Sequence, residues 1–270
     1  MGAPEPIIVA PLFAPLNDEL VHVLRGMNRD EWNARAVGTW TSKDVAAHLL
    51  DTTLRRLSAQ RDGYFAPLAP TYGLAAIINE MNAQWVSAAQ RLSPEILVEM
   101  LDHYGRAYAE HVMTLDANAP GLGVSWAGED ASSNWFDIAR ELTEKWHHQQ
   151  QIRDAIHRSP LYDLRYFKPV VETFLRGLPY AYRNAKAADG TAISFDIREV
   201  TECSLVRDAG QWLLNVDDGE KPDATVRMSG DTAWRLFTKG LGRDEARRRS
   251  EVSGDSSLAE PLFSMVAIVA

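Results

Sequence analysis

Apolar residues recur every three or four positions through the N-terminal 160 residues, which is the periodicity of amphipathic helices. Capping residues mark two of the helix starts. Thr41 and Asp44 have the spacing of a capping box, and Ser93 followed by Pro94 is typical of an N-cap with proline in the first turn. The pattern therefore predicts helices at approximately residues 16–27, 41–57, 74–92, 94–108 and 133–157.

The pattern changes after Pro160, where short segments with a period of two begin. Ile193, Phe195 and Ile197 alternate with polar residues, as in a strand with one buried face. The other elements predicted here are a helix at 167–184, a hairpin with strands at 205–206 and 212–216, a strand at 224–228, a helix from Asp231 to Gly240 and a last helix from Ser257. We therefore predict an α+β protein with two domains, an all-α helical bundle at residues 1–162 and a small α+β domain at residues 163–270.

The amino-acid composition and net charge indicate which classes of molecule the protein binds. The chain has 46% hydrophobic residues, enough for a folded core, and a net charge of −9, which disfavours binding to the phosphate backbone of nucleic acids. The basic run at residues 247–249 is flanked by acidic residues and is typical of a solvated helix face. We expect a small-molecule substrate and no nucleic-acid partner, and the sequence leaves the oligomeric state open.

The location follows from cysteine usage and from the absence of long apolar runs. Cys203 is the single cysteine, so no intrachain disulfide can form, and we interpret it as a buried strand thiol. The apolar N-terminal stretch is broken by Pro11 and Pro15, and no apolar run reaches the ~20 residues of a membrane helix. These features predict a cytoplasmic protein that does not bind membranes.

The candidate chemistry lies on two of the predicted helices. Glu144 and His148 are four residues apart, which places both side chains on one helix face, and His48 lies on a different helix. Two histidines and one carboxylate provide three protein ligands and leave coordination positions open, as in a catalytic metal site. This ligand set suits zinc and also nickel, iron or cobalt. The polar strips that carry these residues could line a shared cleft or could face water.

Two motifs resemble a known family. The stretch from Gly38 to Leu49, G-T-W-T-S-K-D-V-A-A-H-L, is similar to the W-t-x-x-D-v-x-x-H-L motif of the mycothiol-dependent maleylpyruvate isomerase family, which is part of the DinB-like superfamily. The segment from Val124 to Ala155 resembles the second motif of that family. The C-terminal pieces that resemble its sterol-carrier-like domain are residues 224–230, 231–240 and 253–255.

The resemblance implies a fold, a ligand set and cofactors. The fold is a DinB-like four-helix bundle followed by a sterol-carrier-like domain. His48, Glu144 and His148 match the metal ligands of the family, where the metal is usually zinc, with nickel as the alternative. The cofactor is a low-molecular-weight thiol such as mycothiol. Many members carry an aspartate three residues after the last ligand histidine, and this chain has Gln151 there instead, which lacks a carboxylate to orient a ligand.

The function implied is thiol chemistry at an open metal site. A metal-activated thiolate could add to a double bond conjugated to a carbonyl, and rotation followed by elimination would convert a cis unsaturated keto acid to the trans form. The same thiolate could instead undergo S-transfer to an electrophile. A dicarboxylate substrate would need a guanidinium, for which Arg243 is the candidate and Arg235 and Arg55 are alternatives.

Two other functions compete with this hypothesis. One is a non-catalytic carrier that binds a small apolar or acyl ligand in its C-terminal domain. It predicts a tunnel lined by apolar side chains, among them Phe195, Trp212, Leu236 and Phe263. The other is a metallohydrolase that uses water in place of a thiol. Thiol dependence of the activity separates the hydrolase from the first hypothesis.

Overall fold

The structure, a computed structural model, describes residues 5–65, 74–214 and 221–267. Its combination of helices and a mixed sheet confirms the predicted α+β fold class. The chain forms two compact units, one made of Ile8–Ala117 and Ile138–Tyr162 and the other mainly of Asn118–Asp137 and Asp163–Val269. Along the described ranges, no helix is both long enough and apolar enough to cross a membrane.

The predicted helices of the N-terminal half are all present. The helices are α1 Phe13–Arg25, α2 Arg29–Asn33, α3 Ser42–Arg56, α4 Leu74–Ala89, α5 Pro94–Val112 and α6 Asn134–Ala155. A hairpin of β1 (Arg35–Val37) and β2 (Trp40–Thr41) precedes α3. Periodicity did not predict α2, because a helix of five residues is too short to show a period.

The helical unit is built around α3. Leu20, Leu49, Leu97 and Ile152 come from four different helices and share one buried core. Ten of the fifteen residues of α3 are buried, so the helix has almost no solvated face. Its polar residues are therefore carried into the interior as well, where each needs a partner.

The second unit has a five-stranded sheet with helices and short turns around it. The strands are β5 Ala192–Arg198, β6 Thr201–Asp208, β7 Gln211–Leu214, β8 Ala224–Ser229 and β9 Glu251–Gly254. Their order is β7-β6-β5-β8-β9, and the β5–β8 pair is parallel while the others are antiparallel. Cys203 lies on β6, where burial raises the pKa of its thiol to about 12.

The remaining elements are helical or very short. The helices of this unit are α7 Leu164–Leu175, α8 Leu178–Ala181, α9 Gly230–Phe237 and α10 Arg243–Arg248. Two short strands, β3 (Pro120–Gly121) and β4 (Ser132–Ser133), pair antiparallel. The basic run that begins at Arg247 lies at the end of α10, where Arg248 and Arg249 pair with Glu245.

Three local predictions for this unit were wrong. The helix predicted at 167–184 is divided into α7 and α8, because Pro179 cannot bond to the carbonyl of Leu175 and its ring clashes there. The helix predicted from Asp231 to Gly240 runs from Gly230 to Phe237 as α9, and its N-cap is Ser229, whose hydroxyl accepts from the backbone N–H of Thr232.

The third wrong prediction concerns the helix from Ser257. The chain forms two 3-10 turns there, Ser256–Ala259 and Leu262–Ser264, because Pro261 interrupts the helical hydrogen bonds. The predicted strand end at Val216 lies outside the described residues.

Candidate metal centre

The start of α3 positions His48. The backbone N–H of Thr41 donates to Asp44 Oδ2 at 2.8 Å, and the N–H of Asp44 donates to Thr41 Oγ1 at 3.3 Å. This is the capping box that the sequence predicted, and it fixes where the helix begins. His48 follows Asp44 by four residues, so its side chain lies one turn along the same face of α3.

The side chains of His48, Glu144 and His148 meet at one point. His48 Nε2 lies 3.3 Å from Glu144 Oε1, and His148 Nε2 lies 2.9 Å from the same oxygen. One potential ligand atom from each residue lies within 4.8 Å of the other two. Helix α3 thus brings His48 to two residues of α6 that follow it by about a hundred positions in the sequence.

The centre is enclosed on the histidine side and open on the glutamate side. The side chains of His48 and His148 are 6% and 13% exposed, whereas that of Glu144 is 36% exposed. The His48 ring contacts two other rings, with centroids 5.2 Å from Trp40 and 4.7 Å from His148. A ligand would therefore approach from the exposed side of Glu144.

Gln151 links two histidines of α6. Its Oε1 accepts from Nδ1 of His148 at 2.7 Å, and its Nε2 donates to Nε2 of His147 at 3.0 Å. Nδ1 of His48, by contrast, is buried and has no hydrogen-bond partner within the described part of the chain. The two ligand histidines are thus held differently, His148 by a hydrogen bond and His48 by packing.

The charges of the centre suit a divalent cation. Burial lowers the pKa of His48, and burial lowers that of His147 to about 3, so both imidazoles are neutral. Burial opposes the charge on Glu144, but the charge and hydrogen bonds of His148 and His48 hold its pKa well below the usual range. Burial likewise opposes the charge on His148, and the nearby carboxylate of Glu144 raises its pKa. The ionised carboxylate of Glu144 and the neutral imidazole of His48 have the protonation state that a metal site requires, whereas a metal ion would displace a proton from His148.

The family model for the mycothiol maleylpyruvate isomerase N-terminal domain matches residues 13–153, which is more than half of the chain. The chain belongs to the mycothiol-dependent maleylpyruvate isomerase family. The matched segment contains all three residues of the centre. The resemblance seen in the sequence motifs is thereby confirmed.

Solved structures agree on the fold. The crystal structure of the mycothiol-dependent maleylpyruvate isomerase aligns with a TM-score of 0.53 at 14% identity, over 87% of this chain and 91% of that chain. A mutant of it with one histidine replaced by alanine aligns over the same shares, with a TM-score of 0.52 at 13% identity. No curated protein sequence matches the chain. At these identities the structural likeness establishes a shared fold and not a shared activity.

The donor set of this family member fits a metal ion. Ligand atoms about 2.1 Å from a tetrahedral zinc lie about 3.4 Å apart, close to the separations of the two imidazole nitrogens from Glu144 Oε1. The hydrogen bond from His148 Nδ1 to Gln151 leaves the lone pair of Nε2 for the metal. Small side-chain movements would suffice to place all three atoms around one ion.

The predicted arginines lie in different parts of the molecule. Arg243 begins α10 in the second unit, and its guanidinium pairs with Glu260. Arg235 in the same unit pairs with Asp231. Arg55 lies on α3, two turns after His48.

The guanidinium of Arg55 is held by two neighbours. It donates to Asn82 Oδ1 at 3.0 Å and lies 3.0 Å from Asp51 Oδ2. No contact described here distinguishes one arginine as the substrate-binding group, so the choice of Arg243 stays a prediction.

The proposed tunnel residues are buried in the second unit. Phe195, Trp212, Leu236 and Phe263 are each at most 4% exposed. The ring of Tyr182 packs edge-on against Phe195 and Trp212, with centroids 6.0 and 5.5 Å away. These contacts are those of a packed aromatic core.

His147 and Trp40 lie beside the centre, and the sequence motifs assign neither of them a role. The spacing of four residues between His147 and Gln151 places them on one helix face, and this was the available signal. Trp40 precedes His48 by eight residues and is brought to it by the β1–β2 hairpin, which the sequence did not predict.

Proposed function

We propose that this protein is a metal- and thiol-dependent enzyme in which His48, Glu144 and His148 hold one divalent ion. Zinc is the first choice for this donor set, and nickel is the alternative. The observation that carries the proposal is the convergence of three ligand atoms within 4.8 Å, inside the segment that matches the family.

A divalent ion held by these residues would supply a Lewis acid that keeps a small-molecule thiol, such as the mycothiol of the structural relatives, in its thiolate form at neutral pH. The chain's own contribution is to bind and orient. Three protein ligands leave a position open, and the exposed side of Glu144 is where a thiol would enter. Because Glu144 is the single anionic ligand, the loaded site would keep a net positive charge that favours an anionic sulfur.

The reaction we propose is cis–trans isomerisation of an unsaturated keto acid of the maleylpyruvate type. The packed rings of Trp40, His48 and His148 would exclude water from the inner side of the centre. The carboxylates of the substrate need a guanidinium, for which Arg243 remains the proposed residue and Arg55 the alternative on the same helix as His48.

The proposal also includes the domain organisation and the cellular location of the enzyme. We assign residues 1–162 to the metal-binding domain, DinB-like in type, and residues 163–270 to a sterol-carrier-like domain. A cytoplasmic location suits the chemistry, because small thiols are kept reduced there.

The test is an isomerisation assay with purified, zinc-loaded protein. Maleylpyruvate is mixed with mycothiol, and the loss of the cis isomer is followed by ultraviolet absorbance and chromatography. We expect conversion to the trans isomer that requires the thiol and that is abolished in His48→Ala. Arg243→Met, with Arg248→Met as a matched control from the same helix, tests the substrate-binding role of Arg243 through a raised KM.

Each other outcome of that assay points to a different function. A stable thiol adduct in place of the trans isomer would replace isomerisation by S-transfer. Turnover without thiol would favour the hydrolase, and an inert protein that binds apolar ligands would favour the carrier.

A further inference from the structure

The amide of Gln151 has a defined orientation between two imidazoles. Its oxygen lies 2.7 Å from Nδ1 of His148, and its nitrogen lies 3.0 Å from Nε2 of His147. An amide oxygen can accept but not donate, and an amide nitrogen can donate but not accept. The orientation of the amide is therefore coupled to the position of the proton on each ring.

The coupling has a direct consequence for the metal-binding atom. With the oxygen of Gln151 facing it, Nδ1 of His148 carries a proton. Nε2 donates to Glu144 in the metal-free protein, and when its proton is displaced the lone pair of Nε2 would be free for a metal ion. If the amide were rotated by a half turn, its NH₂ group would face Nδ1 and the proton would have to be on Nε2. That tautomer could not bind a metal through Nε2.

The tautomer of His147 decides between the two orientations. With the proton of His147 on Nδ1, its Nε2 accepts from the amide nitrogen, and the observed orientation satisfies both ends of the amide at once. His147 is 6% exposed, and its side chain is therefore held within the unit. The arrangement is a chain of hydrogen bonds from His147 through Gln151 to the ligand His148.

We propose that Gln151, oriented by His147, is the positioning residue that keeps His148 in its metal-binding tautomer and rotamer. The inference rests on the proposed function for the metal site alone and not for the thiol chemistry. Carboxylates often orient ligand histidines in this way. Here a neutral amide does so. Both oxygens of a carboxylate accept, whereas an amide has one accepting end and one donating end, and His147 holds the donating end away from His148.

The test measures zinc affinity by competition with a chromophoric chelator at pH 7.5. Gln151→Met removes both hydrogen bonds at similar volume, and we expect zinc affinity to fall about tenfold to a hundredfold, as for other outer-shell changes. Gln151→Glu keeps an acceptor for Nδ1 of His148, and we expect it to retain an affinity within a few-fold of the parent. Gln84→Met makes the same change on the exposed face of α4 and should have no effect.

A second readout reports the tautomer directly. Nitrogen-15 NMR of the histidine side chains in the zinc-loaded parent should show His148 protonated on Nδ1 and bound through Nε2. His147→Leu removes the group that orients the amide, and we expect a weaker zinc affinity than in the parent with the fold retained by circular dichroism.

The outcomes separate this inference from the proposed function. An unchanged zinc affinity in Gln151→Met would overturn the inference, and so would a Gln151→Glu variant as weak as Gln151→Met, because bulk alone would then matter. A parent that binds no zinc would overturn the inference together with the metal site. A parent that shows all these effects but has no thiol-dependent activity would support the inference and contradict the proposed reaction alone.

Discussion

Two glutamates on α6, one turn apart, are both held by α3, but their partners differ in kind. Glu141 Oε2 lies 3.1 Å from the guanidinium of Arg56, and Glu141 Oε1 lies 3.6 Å from Lys145 Nζ. Glu144 has two imidazoles as partners, those of His48 and His148. The side chain of Glu141 is 6% exposed, whereas that of Glu144 is 36% exposed.

The difference explains how one helix serves both stability and ligand binding. Arg56 carries a permanent charge, and Lys145 is additionally held by Thr53 Oγ1 at 2.7 Å, so the charge of Glu141 is balanced from within the chain. The partners of Glu144 have lone pairs that can turn to a shared cation. Glu141 is buried against an arginine and a lysine and is not available to an ion from solution. Glu144 is partly exposed beside two histidines and can bind such an ion together with them.

The largest expected effect separates the two glutamates by metal affinity. In Glu144→Gln the anionic ligand is lost, and we expect zinc affinity to fall by more than the ~100-fold that outer-shell changes cost. Glu141→Gln should leave zinc affinity unchanged, because its partners are cations of the chain. Chelator competition on both variants checks this, and equal losses in the two would erase the distinction.

In the metal-free protein, we expect the substitution of Glu141 to change stability. Glu141→Gln removes the negative charge that Glu141 places beside Arg56 and Lys145, and we expect the free energy of unfolding to fall by about 3 kcal/mol, as for a broken buried ion pair. Urea unfolding in the presence of a chelator measures this. A Glu141→Gln variant as stable as the parent would mean that the pair is not structural.

Lowering the pH should destabilise the folded protein through its buried histidines. Burial lowers the pKa of His147 and of His48 in the folded protein, whereas in the unfolded chain both take up a proton below about pH 6.5. Stability is thus lost as pH falls, by roughly 2 kcal/mol at pH 5 from His147 alone, with the pKa of about 3 that burial gives it.

Between pH 6.5 and pH 5 the loss comes from the histidines whose pKa is lowered, which are His147, His48 and the less buried His111. His148 has a raised pKa, so its contribution is stabilising, becomes fully present below the unfolded pKa of about 6.5 and does not weaken the protein as pH falls. Glu144 has a lowered pKa, so its contribution is lost well below pH 5. Urea unfolding of the chelated protein at pH 6.5 and pH 5 tests the prediction, and His147→Leu should reduce the difference. Equal stability of the parent at both pH values would contradict it.

The smallest expected effect comes from the N-cap of α3, the helix that supplies a partner to each of the two glutamates. Thr41→Ala removes the hydroxyl cap of α3, the helix that supplies both His48 and Arg56, and should lower the free energy of unfolding by about 1 kcal/mol. Zinc affinity of the folded protein should not change. A selective loss of zinc affinity would show that the cap positions His48 more directly than the fold implies.

The sequence predicted what depends on local pattern. Periodicity located α3 and α6, the Thr41–Asp44 spacing located the start of α3, and the Glu144–His148 spacing placed two ligands on one face. Whether His48 faces them depends on how α3 is rotated in the core, which local pattern leaves open.

The local sequence pattern also could not predict the hydrogen-bond and ion-pair partners of the polar residues. The bond of Gln151 to His148 and the pairing of Arg56 with Glu141 both depend on rotamers and on packing between helices. The family resemblance supplied the convergence of the ligands, and the hydrogen bonds within the site had to come from the structure.

The most direct test of the central claim is the metal content of the purified protein, measured by plasma emission spectroscopy on the parent, His48→Ala and His148→Ala. Arg56→Met serves as a control from the neighbouring ion pair. The account predicts about one equivalent of zinc or nickel in the parent and the control, and loss of the metal in both histidine variants. A parent that contains no metal and takes up no added zinc, or histidine variants that keep a full equivalent, would contradict it.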